Sequence, residues 1–203
     1  MLRYAPPSLL VALGLLMLGA GPASAHEQVG VAGGFVSGFT HPIFGADHLI
    51  AMVAVGLWGA QLGRPLVWIL PITFPLVMAF GGLLGLLDVG LPFVEVAIAL
   101  SAIVLGIMVA FQIRPPVWVA AAIVAVFAIF HGHAHGQELP EAANPLAYSV
   151  GFVLATGLLH LTGILIGLVL AWPMGTRVVR VCGVAIALLG GWFLASHMGV
   201  VGA

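Results

Sequence analysis

The chain has 203 residues, 63% of them hydrophobic and only 5% charged, with a formal net charge of -1 and five arginines but no lysine. At a mean hydropathy of +1.26 it is far more apolar than a soluble domain, which holds roughly 45–50% apolar residues, and it has no basic patch for nucleic acid. Its single cysteine, Cys182, excludes an internal disulfide framework and a cysteine-rich metal site. The composition predicts an all-α, polytopic membrane helix bundle whose surroundings are lipid.

Residues 1–25 have the order of a secretory signal peptide. Arg3 sits in a short n-region, an apolar stretch runs from Leu9 to Leu18, Gly21-Pro22 breaks it, and Ala23-Ser24-Ala25 offers small residues for cleavage. Cleavage after Ala25 makes His26 the first mature residue and residues 26–203 a single transmembrane domain. The competing reading is an uncleaved first transmembrane helix.

Six apolar runs follow, at 44–62, 66–87, 92–112, 116–133, 145–172 and 177–198. Each is long enough to cross about 30 Å of hydrocarbon at about 1.5 Å per residue. Helix-breaking residues separate them: Gly63-Arg64-Pro65, Asp88-Val89-Gly90-Leu91-Pro92, Arg114-Pro115-Pro116, Asn144-Pro145 and Pro173-Met174-Gly175. The Gly-rich segment 31–40 either extends the first helix or forms a half-helix that reaches His41 and stops at Pro42.

With the mature N-terminus outside, Arg64, Arg114, Arg177 and Arg180 all fall in cytoplasmic loops, as the positive-inside rule requires. Glu27, Asp88, Glu138 and Glu141 fall on the outer side. Trp58, Trp68, Trp118 and Trp172 then mark the cytoplasmic helix ends as an aromatic belt. This is the topology of a multi-pass protein of a bacterial inner membrane.

At the start of the first run, FTHPIFGADHLIAM (residues 39–52) holds two histidines and an aspartate where charge is otherwise avoided. An ionised residue at the centre of a membrane helix costs about 2.5–3.5 kcal/mol on insertion scales, and a bound cation would offset that for Asp47. On an unbroken helix, His41 and His48 would share a face about 10 Å apart, too far to hold one ion. Pro42 and Gly45 can bend the segment and bring His41 back toward Asp47 and His48. Imidazoles with a carboxylate and no thiolate suit Ni(II), Co(II), Zn(II) or Cu(II) rather than Mg or Ca. The bland alternative is an interhelical hydrogen-bond cluster that glues the bundle.

Further candidate ligands lie along the chain. His131, His133 and His135 alternate with Gly132, Ala134 and Gly136 in what reads as a flexible His-rich outer loop. His160 sits four turns into the fifth run, and Glu95 lies near the outer end of the third. His26 can chelate through its amine and imidazole together if cleavage exposes it. His197 is assigned no role, and Met52, Met78 and Met108 read as core residues.

The eight residues HPIFGADH, from His41 to His48, resemble the His-Pro-x-x-Gly-x-Asp-His signature of the HupE/UreJ family of nickel and cobalt permeases, associated with hydrogenase and urease maturation. The leader followed by histidine, the six runs and a histidine in the fifth extend the resemblance over nearly the whole chain. It implies that His41, Asp47 and His48 recognise metal, that His26 is an outer-face histidine, and that nickel or cobalt is cargo rather than a resident cofactor.

Other classes are weighed against this one. A haem-binding electron-transfer subunit would pair His41 or His48 with His160 as axial ligands. A non-transporting metal-binding accessory protein would use the same ligands without a pathway. Catalysis is not expected, since neither an H-E-x-x-H helix nor a G-x-S-x-G elbow is present. A G-x-x-x-x-G-K-[ST] loop is also absent, so this chain contributes no nucleotide-driven motor. Oligomeric state is left open, and a homo-oligomer is compatible with the composition.

Overall fold

The computed structural model describes residues 30–139 and 144–200; the expected leader, His26, Glu27 and Glu141 lie outside the described residues. Among the described residues the chain is all-helical. Helices α1 (Gly30–Phe44), α2 (Ala46–Leu62), α3 (Leu66–Leu86), α4 (Val94–Ala110), α5 (Val117–Gln137), α6 (Pro145–Gly167) and α7 (Gly175–His197) follow in order, with a 3-10 turn at Leu168–Ala171 extending α6. Each apolar run in the sequence becomes one helix because backbone groups in hydrocarbon must be satisfied within the segment.

The punctuation acts locally. Gly63, at φ 76°, ends α2 in a left-handed conformation that suits glycine. Asn144 starts α6 by accepting a hydrogen bond from the Ala147 amide, with Pro145 at the first helical position where no amide donor is needed.

Four helices (α3, α5, α6 with its 3-10 turn, and α7) are long and apolar enough to cross a membrane, and the pair α1–α2, bent by 78°, passes the same test together. α4 has 17 residues, at the lower limit of the roughly 17–25 that spanning requires.

Small residues let the helices approach. α3 packs chiefly on α5, α4 on α7, and both α1 and α2 on α6. A Cβ added at Gly56 of α2 would strike the His160 backbone of α6, and one at Gly163 would strike the Val53 carbonyl of α2. Between α3 and α5, side chains at Gly132 or Gly136 would collide with the Met78 or Gly82 carbonyl. Such close backbone packing is the usual adhesive of membrane helices, because lipid provides no hydrophobic drive to associate them.

Two expectations are corrected here. The tract His131 to His135 is not a flexible loop: α5 continues to Gln137, and its glycines serve contact with α3 rather than disorder. Trp58 is not part of an interfacial belt. It is fully buried, with Nε1 donating to the Ile113 carbonyl at 3.1 Å, whereas Trp68 and Trp118 are exposed.

Contacts fix the two ends of the bundle. Trp58 on Ile113, Gln61 Nε2 on the Val109 carbonyl and Arg180 Nε on the Ala110 carbonyl join α2, α4 and α7 at one end. The connections at that end hold Arg64 and Arg114, and Arg177 lies in the first turn of α7. The opposite end gathers Asp47, Asp88, Glu95 and Glu138 with most of the histidines.

Candidate metal centre

The centre begins with the break at Gly45. Its backbone is extended (φ -74°, ψ 100°), so α1 stops at Phe44, α2 starts at Ala46, and the chain turns by 78°. Pro42 stays inside α1. The bend lets both histidines reach one partner on α5: the His41 and His48 rings lie 4.9 and 4.6 Å from the His135 ring, centroid to centroid.

Helical geometry sorts the histidines of α5. His131 and His135, four residues apart, share a face and point to His48, whose ring lies 5.2 Å from that of His131. His133 faces away, and its Nε2 donates to the Val89 carbonyl at 2.7 Å. Glu138 caps the same helix. It accepts hydrogen bonds from His41 Nε2 and His135 Nδ1, both at 3.1 Å. These bonds hold its carboxyl down at about 2, and they offset the unfavourable position of an anion at a helix C-terminus.

Donor logic then fixes which nitrogens carry lone pairs. His131 Nδ1 lies 3.0 Å from the Phe127 carbonyl and must donate, so its Nε2 is unprotonated. His135 donates from Nδ1 to Glu138, so in the neutral ring its Nε2 accepts from His48 Nδ1 at 3.0 Å. That leaves His48 Nε2 as a second lone pair. Both Nε2 atoms are buried and have no hydrogen-bond partner among the described residues.

A cavity of about 240 Å³ opens here, lined by His41, Asp47, His48, Glu95, His131, His135 and Glu138. One ligand atom each from His41, His135 and Glu138 lies within 4.8 Å of the others, and the same holds for Asp47, Glu95 and His197. The structure therefore places Asp47 beside Glu95 and His197, with its Oδ1 accepting from the His48 amide at 2.8 Å. Among the sequence candidates, His41, Asp47, His48, Glu95, His131 and His135 meet on one cavity. His133 and His160 do not line it, and His26 lies outside the described residues.

Two further residues join the centre that the sequence alone does not single out. Glu138 reads there as an outer-loop acid, though the His135-x-x-Glu138 spacing places it one helical turn from a candidate ligand. His197, given no role, lies 3.6 Å from Glu95, and nothing local to either residue announces that contact.

These features define a polytopic membrane helix bundle with a histidine–carboxylate centre at one end. The chain belongs to the HupE/UreJ family: it matches the family described as HupE / UreJ protein over residues 13–193. It is similar to protein HupE of Rhizobium leguminosarum bv. viciae, at 48% identity over 170 residues, covering 83% of this chain and 89% of the relative. No solved structure matches the chain.

Proposed function

We propose that this chain carries a divalent transition-metal ion, nickel foremost and cobalt next, across the bacterial inner membrane as a secondary or facilitated carrier that supplies metalloenzyme maturation. The observation behind this reading is the convergence of His41, His48, His131, His135 and Glu138 on one cavity at the acidic end of the bundle. Nitrogen donors with one carboxylate and no thiolate favour borderline cations over Mg and Ca. Asp47 and Glu95 give the mouth the negative charge that raises local cation concentration. Purified protein in proteoliposomes should take up radioactive nickel faster than protein-free vesicles, with cobalt competing and magnesium not. Uptake no faster than in empty vesicles would defeat the reading, and a red protein with a Soret band would point to haem instead.

The orientation belongs to the same proposal. A leader cleaved after Ala25, an outer His26 and six crossings, with α4 as the short one, put the acidic end outside and the arginine end in the cytoplasm. In a Cys182→Ser background, a cysteine at Gly90, where a Cβ meets nothing within 4 Å, should react with an impermeant thiol reagent on spheroplasts. Cysteines at Arg64 or Arg177 should react only after permeabilisation. The opposite labelling pattern would invert the topology and move the centre to the cytoplasmic side.

A further inference from the structure

His160 is buried in the middle of α6 at 1% exposure, and neither of its ring nitrogens makes a well-formed hydrogen bond among the described residues, although the Pro71 carbonyl of α3 approaches the ring. An imidazole kept only for packing is expected to satisfy at least one nitrogen, since buried polar groups are nearly always paired. In an apolar bundle an unpaired one marks function by default. One turn away on the same face, Thr156 is fully buried and its Oγ1 is also unpartnered. Phe152, one turn further, packs on His48 and His135 with ring centroids at 5.2 and 4.5 Å. The stripe Phe152–Thr156–His160 thus leads from the outer centre inward, covering about 12 Å at about 1.5 Å per residue.

From the facing side, α3 contributes Phe74. Its ring, fully buried, meets His131 at 5.4 Å and His160 at 5.5 Å, edge-on in both cases. Phe74 therefore touches both the deepest imidazole of the cavity and the one beneath it. Gly56 and Gly163 bring α2 and α6 into backbone contact at the level of His160, so water has little room to satisfy that ring.

We propose that His160 and Thr156 form a second, interior station for the transported ion, reached from His131 past the ring of Phe74. Imidazole and hydroxyl donors suit the same borderline cation as the outer centre. A pathway needs successive sites that bind well enough to accept the ion and weakly enough to release it. With two donors against the five side chains above, the interior station is the weaker. The proposal rests on the transport reading and assigns the step that follows capture.

The test uses the full-length protein in detergent, titrated with cobalt(II) as a spectroscopic probe, and the same protein in proteoliposomes for nickel uptake. Wild type should show a tight and a weak class of cobalt binding. H160Q should lose the weak class, keep the tight class within about twofold because the outer residues are untouched, and lose uptake by about 10-fold or more, the low end of what damage to a metal's surroundings does. Loss of both the weak class and uptake supports the interior station, and either one remaining at the wild-type level overturns it. If H160Q does not fold, T156V removes only the hydroxyl: severalfold slower uptake with the tight class intact supports the proposal, and unchanged uptake overturns it. Wild type with no cobalt binding and no uptake would overturn the transport reading as well, so the two failures are distinguishable.

Discussion

Alanine at His135 should lower nickel uptake at trace metal by about 10–100-fold, and alanine at His48 should do the same, whereas alanine at His133 should leave the concentration dependence of uptake unchanged. The first range is what loss of a ligand or its support removes from metal affinity. The contrast follows from one helix: His135 accepts from His48 and donates to Glu138, while His133 is turned toward the Val89 carbonyl. His48 and His135 act as one hydrogen-bonded unit, so the double variant should be scarcely worse than either single one, as for residues that share a network. At high external metal both should partly recover, because a weakened site still fills by mass action. Uptake assays at matched expression, with thermal stability measured in parallel, check this. If His133→Ala proved as damaging as His135→Ala without loss of stability, the assignment of faces on α5 would be wrong.

The same tract shows where the sequence is legible and where it is not. Hydropathy and the Pro/Gly breaks are local properties, so the six apolar runs reappear as helices within a few residues, and the bend near Pro42 and Gly45 falls at Gly45. Glycine is ambiguous locally. In Gly132 and Gly136 it reads as flexibility, yet their function is to admit the backbone of α3, which no window on α5 alone reveals. Trp58 is ambiguous in the same way: near a helix end it suits an interface, but the connection after α4 supplies the Ile113 carbonyl that draws it inside.

The site follows the same division. His41, Asp47 and His48 stand out because ionisable residues crowd an apolar run. The contact of His41 with Glu138, 97 residues away, and that of Glu95 with His197 exist only once α1, α4, α5 and α7 are assembled. The hydrogen-bond order that leaves two lone pairs free likewise depends on the Phe127 carbonyl and on Glu138 together.

Glu138→Gln should reduce trace nickel uptake by about 10–100-fold without abolishing the acid dependence of transport. The carboxylate accepts from both His41 and His135 at 3.1 Å. A neutral amide retains the shape and one acceptor but loses the charge that binds two imidazoles to one point and offsets the charge of the ion. The pH argument has a definite sign. Hydrogen bonds from His135 and His41 depress the Glu138 carboxyl from its ordinary value to about 2, so the stability it contributes is present above about 4.3, the unfolded carboxylate value, and is lost only as pH falls toward 2. Glu138 therefore stays ionised across the working range, and any decline of wild-type uptake as pH falls reports protonation of imidazoles, which must be neutral to bind metal. The Glu138→Gln protein, assayed from pH 8 to 5 against wild type, should show lower uptake throughout, with its acid limb retained and shifted to lower pH, because the carboxylate that favours protonated imidazole is gone. An acid limb that disappears in the variant would identify Glu138 itself as the titrating group, contrary to the hydrogen bonds that hold it.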